Sequence, residues 1–298
     1  MKSVMKVFVT GASGFVGSAV VQELLHAGHS VTGMVRRPEA MAALEQIGAA
    51  AVIGNLDDPE NIVSAVADSD VVIHTAFNHD FSRFKENCVT DRKVIEALGK
   101  ALAGTGRPLI MTSGIGLIRS ESMITEDMKA TLSESIPRAA SEEAAMALNA
   151  AGVPVYIVRL PPTVHGRGDH GFVPMIIALA KEKGISAYIG TGGNLWPAVH
   201  RLDAARLYRL IAEQQPEQRV FHAVAETGIP FRAIAEEISA GLGVPDQSVT
   251  GEEVAAHFGW FAHFASMDCK ADATQTIRTT GWSLSQPGLL QDMQEAYF

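Results

Sequence analysis

Three glycines, at positions 11, 14 and 17, are the residues whose spacing points most directly to a chemistry. They stand in the run Thr10-Gly11-Ala12-Ser13-Gly14-Phe15-Val16-Gly17. In such a turn the first glycine permits a sharp exit from a strand. The second lets backbone approach a pyrophosphate, and the third lets helix and sheet pack closely. The phosphates then lie at a helix N-terminus, against free N–H groups and the positive end of the dipole. A bare glycine triplet says little without its context. Here Val4–Thr10 reads as a buried strand before the turn, and Val16, Val20 and Leu24 mark a helix after it. Ser30–Val35 follows as the next strand, which completes the setting a dinucleotide site requires. A carboxylate at the end of that strand would accept hydrogen bonds from the ribose hydroxyls of NAD. The chain has Val35, Arg36 and Arg37 instead. Two guanidiniums and no acid favour a 2′-phosphate, hence NADP(H), over a solvated basic loop. Ser13 offers a hydroxyl to the same phosphate.

The elements that position this turn alternate in type. Strands are expected at Val4–Thr10, Ser30–Val35, Ala50–Gly54, Asp70–His74, Pro108–Thr112 and Val153–Leu160, with helices near 14–27, 39–47, 59–67, 82–103 and 137–151. The alternation implies an α/β fold, a Rossmann-type doubly wound parallel sheet covered on both faces. After Pro161-Pro162 the pattern becomes irregular, with helices expected at Phe172–Lys183 and Asp203–Gln215. A strand at Arg219–Val224 returns to the sheet, and helical patterns follow at 230–241, 251–267 and 288–297. The division is a dinucleotide-binding domain over 1–162, with a returning segment near 199–225, and a smaller, mostly helical substrate region over 163–298. The aromatic cluster Phe258, Trp260, Phe261, Phe264 and Trp282 reads as core in preference to pocket lining.

Composition bounds the partners. A hydrophobic content of 47% over 298 residues supports a sizeable core, and a net charge of −9 argues against nucleic-acid or anionic-membrane binding. No apolar run approaches a membrane span, and the first strand leaves no room for a signal peptide. Cys88 and Cys269 suggest neither a disulfide framework nor a metal site, and ten histidines without paired spacing do not make one either. The expectation is a cytoplasmic protein with a small-molecule substrate, no metal, and a homodimer as an open assembly.

Further residues, in order along nearly the whole chain, carry a family resemblance. They are Gly54-Asn55-Leu56-Asp57, His74-Thr75-Ala76, Asn87-Cys88-Val89, Thr112-Ser113, Arg159-Leu160-Pro161-Pro162-Thr163-Val164-His165-Gly166 and Val199-His200-Arg201-Leu202-Asp203. Together with the glycine turn they resemble the extended short-chain dehydrogenase/reductase superfamily, in its epimerase/dehydratase branch. The resemblance implies an adenine contact at Asn55 and Leu56, where the family usually has Asp for Asn55. It places Thr75, Ala76, Thr112 and Pro161 along the cofactor, Ser113 at the catalytic serine, and His165 where the family has tyrosine.

One departure dominates. The family's active helix carries Y-x-x-S-K, and the aligned run here is Arg138-Ala139-Ala140-Ser141-Glu142. The family's lysine lowers the pKa of its tyrosine and holds the nicotinamide ribose, while the tyrosine moves the proton that accompanies hydride transfer. Arginine is permanently protonated and cannot do that. Arg138 and Glu142, four apart on a predicted helix, either pair with each other or take separate roles. In the second case Arg138 polarises a carbonyl or clamps a carboxylate, and Glu142 holds the ribose. Ser113 would orient a substrate oxygen, with His165, Tyr188 or water as the proton source. The function expected is an NADPH-dependent oxidoreductase acting on a carbonyl or related group of a small organic molecule. The alternatives are a non-catalytic NADP-binding or redox-sensing protein and an NAD-dependent sugar-nucleotide epimerase or dehydratase.

Overall fold

A computed structural model describes residues 3–298. The first half alternates strand and helix: β1 Lys6–Thr10, α1 Phe15–His26, β2 Ser30–Val35, α2 Pro38–Gln46, β3 Ala50–Ile53, α3 Pro59–Ala65, β4 Val71–His74, α4 Phe84–Leu102, β5 Leu109–Gly114, α5 Ala140–Ala150 and β6 Val155–Leu160. Local chemistry sets several boundaries. Pro38 and Pro59 open α2 and α3, where a missing N–H costs nothing, and the Asp58 carboxylate caps α3 by accepting from Asn61 N.

The second half runs β7 Thr163–His165, α6 Phe172–Lys183, β8 Ser186–Ile189, β9 Leu195–His200, α7 Arg201–Gln214, β10 Val220–His222, β11 Glu226–Pro230, α8 Phe231–Leu242 and β12 Asp246–Val249. It closes with α9 Glu252–Phe258, α10 Ala262–Ala265, α11 Thr274–Thr280 and α12 Leu289–Ala296. The single helical pattern expected over 251–267 is broken in two at Gly259, where φ is +53°.

Seven strands form one parallel sheet in the order β10-β6-β5-β4-β1-β2-β3. Strand order reverses between β1 and β4, which makes the crevice beyond their carboxyl ends the natural ligand position. Alternation along β1 sends Val7 and Val9 to a core shared with Val20 and Leu24 of α1 and Leu207 and Ile211 of α7. Phe8 points the other way, into a core with Ile95 and Leu98 of α4 and Ala144 and Ala145 of α5. Each fully buried Leu, Ile or Phe contributes on the order of 1.5–3 kcal/mol, so both faces hold the strand ends that carry the site.

The C-terminal region has its own core, with Trp196, Phe231, Ile234, Ile238, Leu289 and Met293 at its centre. Beyond the expected helices it contains two small sheets, β11-β9-β7 and β12-β8. The return to the main sheet is confined to β10, which pairs with β6. Phe258, Phe261 and Trp282 are buried, as read; Trp260 is 59% exposed and Phe264 is only half-buried.

Candidate functional site

The glycine turn is built as its spacing implies. Gly11 has φ +68°, and a Cβ there would stand 2.8 Å from Ala76 N. A Cβ at Gly17 would lie 2.1 Å from Gly11 O, so α1 can approach the sheet only with glycine at that position. Helix α1 starts at Phe15 with Gly14 as its N-cap, no side-chain cap and no acid in its first turn. Its first N–H groups and dipole are therefore free for an anion, which is the cradle a pyrophosphate needs. Ser13 is exposed at its rim, and Phe15 and Val16 are half-buried at the helix start.

Arg36 and Arg37 are exposed beyond the end of β2, and neither has a carboxylate partner among the described residues. Val35 is buried, so no acid occupies the position that would read a ribose. Asn55 is exposed at the end of β3, its side chain bonded to Asp57, with half-buried Leu56 next to it. Thr75 is turned inward, its Oγ1 donating to Thr10 O at 2.7 Å, and Ala76 N donates to Thr10 Oγ1 at 3.3 Å. These two residues brace the turn. Thr112 donates to His74 O at 3.0 Å and meets the Tyr208 hydroxyl at 2.7 Å, while Pro161 is buried just past β6.

Strand β5 runs further than expected and carries Ser113 within it, opposite Arg159 of β6. Ser113 is 4% exposed, and its Oγ has no hydrogen-bond partner among the described residues. A buried hydroxyl left unpaired carries a desolvation cost that a bound oxygen would relieve.

Arg138 and Glu142 do not pair. Pro137 starts a short 3-10 turn, Pro137–Ala139, and α5 begins only at Ala140, so the two residues are not on one α-helix. Arg138 instead reaches across to α4. Its Nη1 donates to Asp91 Oδ2 at 2.9 Å and to Ser141 Oγ, and its Nη2 donates to Thr112 O at 3.1 Å. Nη1 thus spends both of its N–H groups and Nη2 one, which leaves the Nε–H and the second Nη2–H of Arg138 unspent, on a guanidinium bonded to the residue before Ser113. The guanidinium also lies 4.3 Å over the Phe77 ring.

Glu142 is buried in a two-bond fork with Arg159, Nε to Oε1 at 2.5 Å and Nη2 to Oε2 at 3.2 Å. With side chains only 3% and 4% exposed, the pair offers no oxygen to a ribose. The expected roles of Glu142, both as partner of Arg138 and as ribose holder, are corrected accordingly.

Asp91 was not foreseen, and it is the hub. It is 1% exposed, bonds His74 Nε2 at 3.0 Å and Ser141 Oγ at 2.5 Å, and anchors Arg138. Because a carboxylate only accepts, His74 Nε2 carries a proton, and the ring continues through Nδ1 to Thr10 Oγ1 at 2.7 Å. Burial alone would raise the pKa of Asp91; Arg138, His74 and Ser141 outweigh it and hold the carboxyl at about 2. A signal was present in the sequence: Asp91 shares the apolar spacing of Val94, Ile95 and Leu98 on α4, which puts a carboxylate on a buried face.

His165 and Tyr188 are placed elsewhere. His165 is fully buried in β7, with Nδ1 bonded to Asp292 of α12 at 2.8 Å and Nε2 without a partner. No hydrogen bond links it to Ser113 or Arg138 among the described residues. Tyr188 lies on β8 in the C-terminal core, with Arg232 5.3 Å over its ring. The sequence also gave no hint of Arg201, whose guanidinium lies 5.0 Å over Phe15 at the glycine turn.

Comparison with known proteins agrees with this geometry. A family model described as NAD(P)H-binding matches residues 11–188. The chain is 46% identical over 295 residues to Uncharacterized protein C2A9.02 of Schizosaccharomyces pombe, covering 99% of this chain and 100% of the other. It is 41% identical to Uncharacterized protein YLL056C of Saccharomyces cerevisiae, covering 98% and 99%. A 2-alkyl-3-oxoalkanoate reductase of Stenotrophomonas maltophilia is 27% identical over 81% of this chain and 77% of its own. Among solved structures, DesIV (dTDP-glucose 4,6-dehydratase) of Streptomyces venezuelae, with NAD and TYD bound, superposes with a TM-score of 0.76. Its identity is 17%, over 98% of this chain and 97% of that one, so the likeness is one of fold.

Proposed function

We propose that this chain, which belongs to the NAD(P)H-binding family, is an NADPH-dependent oxidoreductase that reduces a carbonyl group on a small organic molecule. The observation that carries the proposal is the unpaired, buried Ser113 hydroxyl at the carboxyl end of the strand next to β4, one residue after Thr112, whose carbonyl accepts from Arg138. The glycine turn would hold a reduced nicotinamide cofactor, whose chemistry would be hydride donation to a carbonyl carbon. Gly11, Gly14 and Gly17 admit its pyrophosphate, and Arg36 and Arg37 hold the 2′-phosphate that distinguishes NADPH from NADH. Ser113 donates to the substrate oxygen and fixes its direction. Arg138 adds N–H donors and a positive charge where negative charge develops on that oxygen, while Asp91 keeps the guanidinium from moving. An alkoxide is basic enough to take its proton from water, so this arrangement needs no tyrosine. The chain then acts as a cytoplasmic enzyme of the short-chain dehydrogenase/reductase type.

The test is NADPH oxidation with ketones and aldehydes, with NADH and the Ser113→Ala variant alongside. Loss of one oxyanion donor should lower kcat by roughly 10²–10³ with NADPH affinity unchanged. Equal turnover with NADH, or an unaffected Ser113→Ala enzyme, would count against the assignment. A cofactor-binding protein without turnover is the second reading, favoured by the Arg138–Asp91 and Glu142–Arg159 pairs where the family's proton-transfer pair would stand. Tight NADPH binding with no oxidation of any carbonyl would select it.

A further inference from the structure

Helices α1 and α7 run side by side in the same direction. In the second half of both, Arg209 Nε donates to Glu23 Oε1 at 2.7 Å; where both begin, the Arg201 guanidinium lies 5.0 Å over Phe15. Since α1 follows β1, both helices start at the carboxyl edge of the sheet. Arg201 and Arg209 share the stripe of α7 that faces α1 and are spent differently. Arg209 is bonded to Glu23 and to both oxygens of Glu213. Arg201 makes no hydrogen bond or ion pair among the described residues, and the first turn of α1 beside it holds no acid.

Arg201 is nevertheless held in place. It is half-buried, and its stem packs on Gly166, where an added Cβ would stand 3.2 Å from Arg201 Cγ. The side chain lines a cavity of 350 Å³ together with Arg167, His200 and two carboxylates of α12, Asp292 and Glu295. Those acids are engaged elsewhere, Asp292 with His165 Nδ1 at 2.8 Å and Glu295 with Gln291 at 2.9 Å. All the N–H donors of Arg201 therefore remain unspent. The guanidinium covers the ring of Phe15, whose backbone opens α1, so one side-chain length separates it from the phosphate cradle. A pyrophosphate can bridge that separation, with one phosphate on the N–H groups of the turn and the other toward the arginine.

We propose that Arg201 is a further cofactor-binding residue, which grips the pyrophosphate of NADP(H) from the C-terminal half of the chain. This inference rests on the cofactor part of the reductase reading. It adds a residue outside positions 11–188, where the NAD(P)H-binding family model matches. The anion that α1 does not supply to Arg201 is then supplied by the ligand, as Glu23 supplies it to Arg209. Because NADPH and NADH share the pyrophosphate, Arg201 serves both alike and takes no part in choosing between them.

The experiment titrates the full-length protein with NADPH and NADH, followed by cofactor fluorescence, in wild type, Arg201→Gln and Arg201→Lys. Adenosine 2′-monophosphate, which carries the 2′-phosphate without a pyrophosphate, is measured by its displacement of NADPH. Arg201→Gln should weaken NADPH and NADH by the same factor, roughly tenfold to hundredfold. Its affinity for adenosine 2′-monophosphate should be unchanged, which also shows that the variant is folded. Arg201→Lys should recover part of the loss, because lysine keeps the charge and gives up the forked geometry. Wild-type affinity for NADPH in Arg201→Gln overturns the inference, as does a loss confined to NADPH or one shared by adenosine 2′-monophosphate. Each of these leaves the reductase reading intact. No binding of either dinucleotide to wild type overturns the cofactor reading and this inference together. The expected dependence on Arg201, without turnover of any carbonyl, supports the inference and overturns the reductase reading.

Discussion

The glycine turn and the start of α5 face the same crevice and are made in opposite ways. At the turn the working groups are backbone: N–H groups at a helix start, reachable because three side chains are absent. At α5 the working groups are side chains fixed by partners on other elements, Arg138 by Asp91 and Glu142 by Arg159. A backbone site tolerates almost any neighbour but no added Cβ. An ion-pair site tolerates bulk and fails when one charge is removed. The cradle thus fails on the smallest added side chain, and the start of α5 on the loss of a single charge.

The sharpest way to break this contrast is Glu142→Ala. It leaves Arg159 charged and buried without its carboxylate, and a broken buried pair costs about 3–5 kcal/mol. The urea midpoint should fall accordingly; a variant as stable as wild type would mean that the pair holds nothing. Gly17→Ala attacks the other region. Its Cβ would meet the immovable Gly11 carbonyl, so α1 must shift from the turn. Overpacking of this kind costs about 1–3 kcal/mol, and titration with NADPH should show affinity reduced roughly tenfold to hundredfold. Unchanged affinity would remove the glycine turn from the cofactor site.

The smallest effect is in pH. His222 accepts from Arg159 Nη1 at 3.3 Å, and burial, assisted by that arginine, pushes its pKa down to about 4. The unfolded chain, with histidine near 6.5, binds more protons between that value and about 4, so stability falls as pH drops through this window. Between pH of about 7.5 and 5.5 the loss attributable to His222 is about 1 kcal/mol, and His222→Gln should flatten that part of the urea-midpoint profile. Asp91 adds no slope there. Held at about 2, its contribution is complete above about 4 and disappears only as pH falls toward 2.

How much of this was legible in the sequence follows the same division. The parallel sheet, its crevice and the cradle could be read because each rests on short-range patterns: apolar runs, helix spacing and glycines a few residues apart. Of the two readings of Arg138, pairing with Glu142 fails because Pro137 puts Arg138 in a 3-10 turn ahead of the helix, and its partner lies 47 residues away on α4. The strands β8 and β12 escaped for a related reason. Asp246–Val249 is polar and exposed except at its last residue, so no alternation marks it, and its partner strand comes 60 residues earlier. Among the aromatics expected as core, Phe258, Phe261 and Trp282 are buried while Trp260 is exposed, a split that composition alone could not give.

The edge strand β10 has a consequence for how the chain is made. The main sheet takes its seventh strand from Val220–His222, and α7, which covers β1 together with α1, is Arg201–Gln214. A nascent chain that has emerged only as far as Leu160 therefore carries six strands with one edge uncapped and the apolar flank beside α1 open to water. A fragment cut at Pro162 lacks both β10 and α7, so the nucleotide-binding half is finished by sequence that lies beyond the first strands of its neighbour.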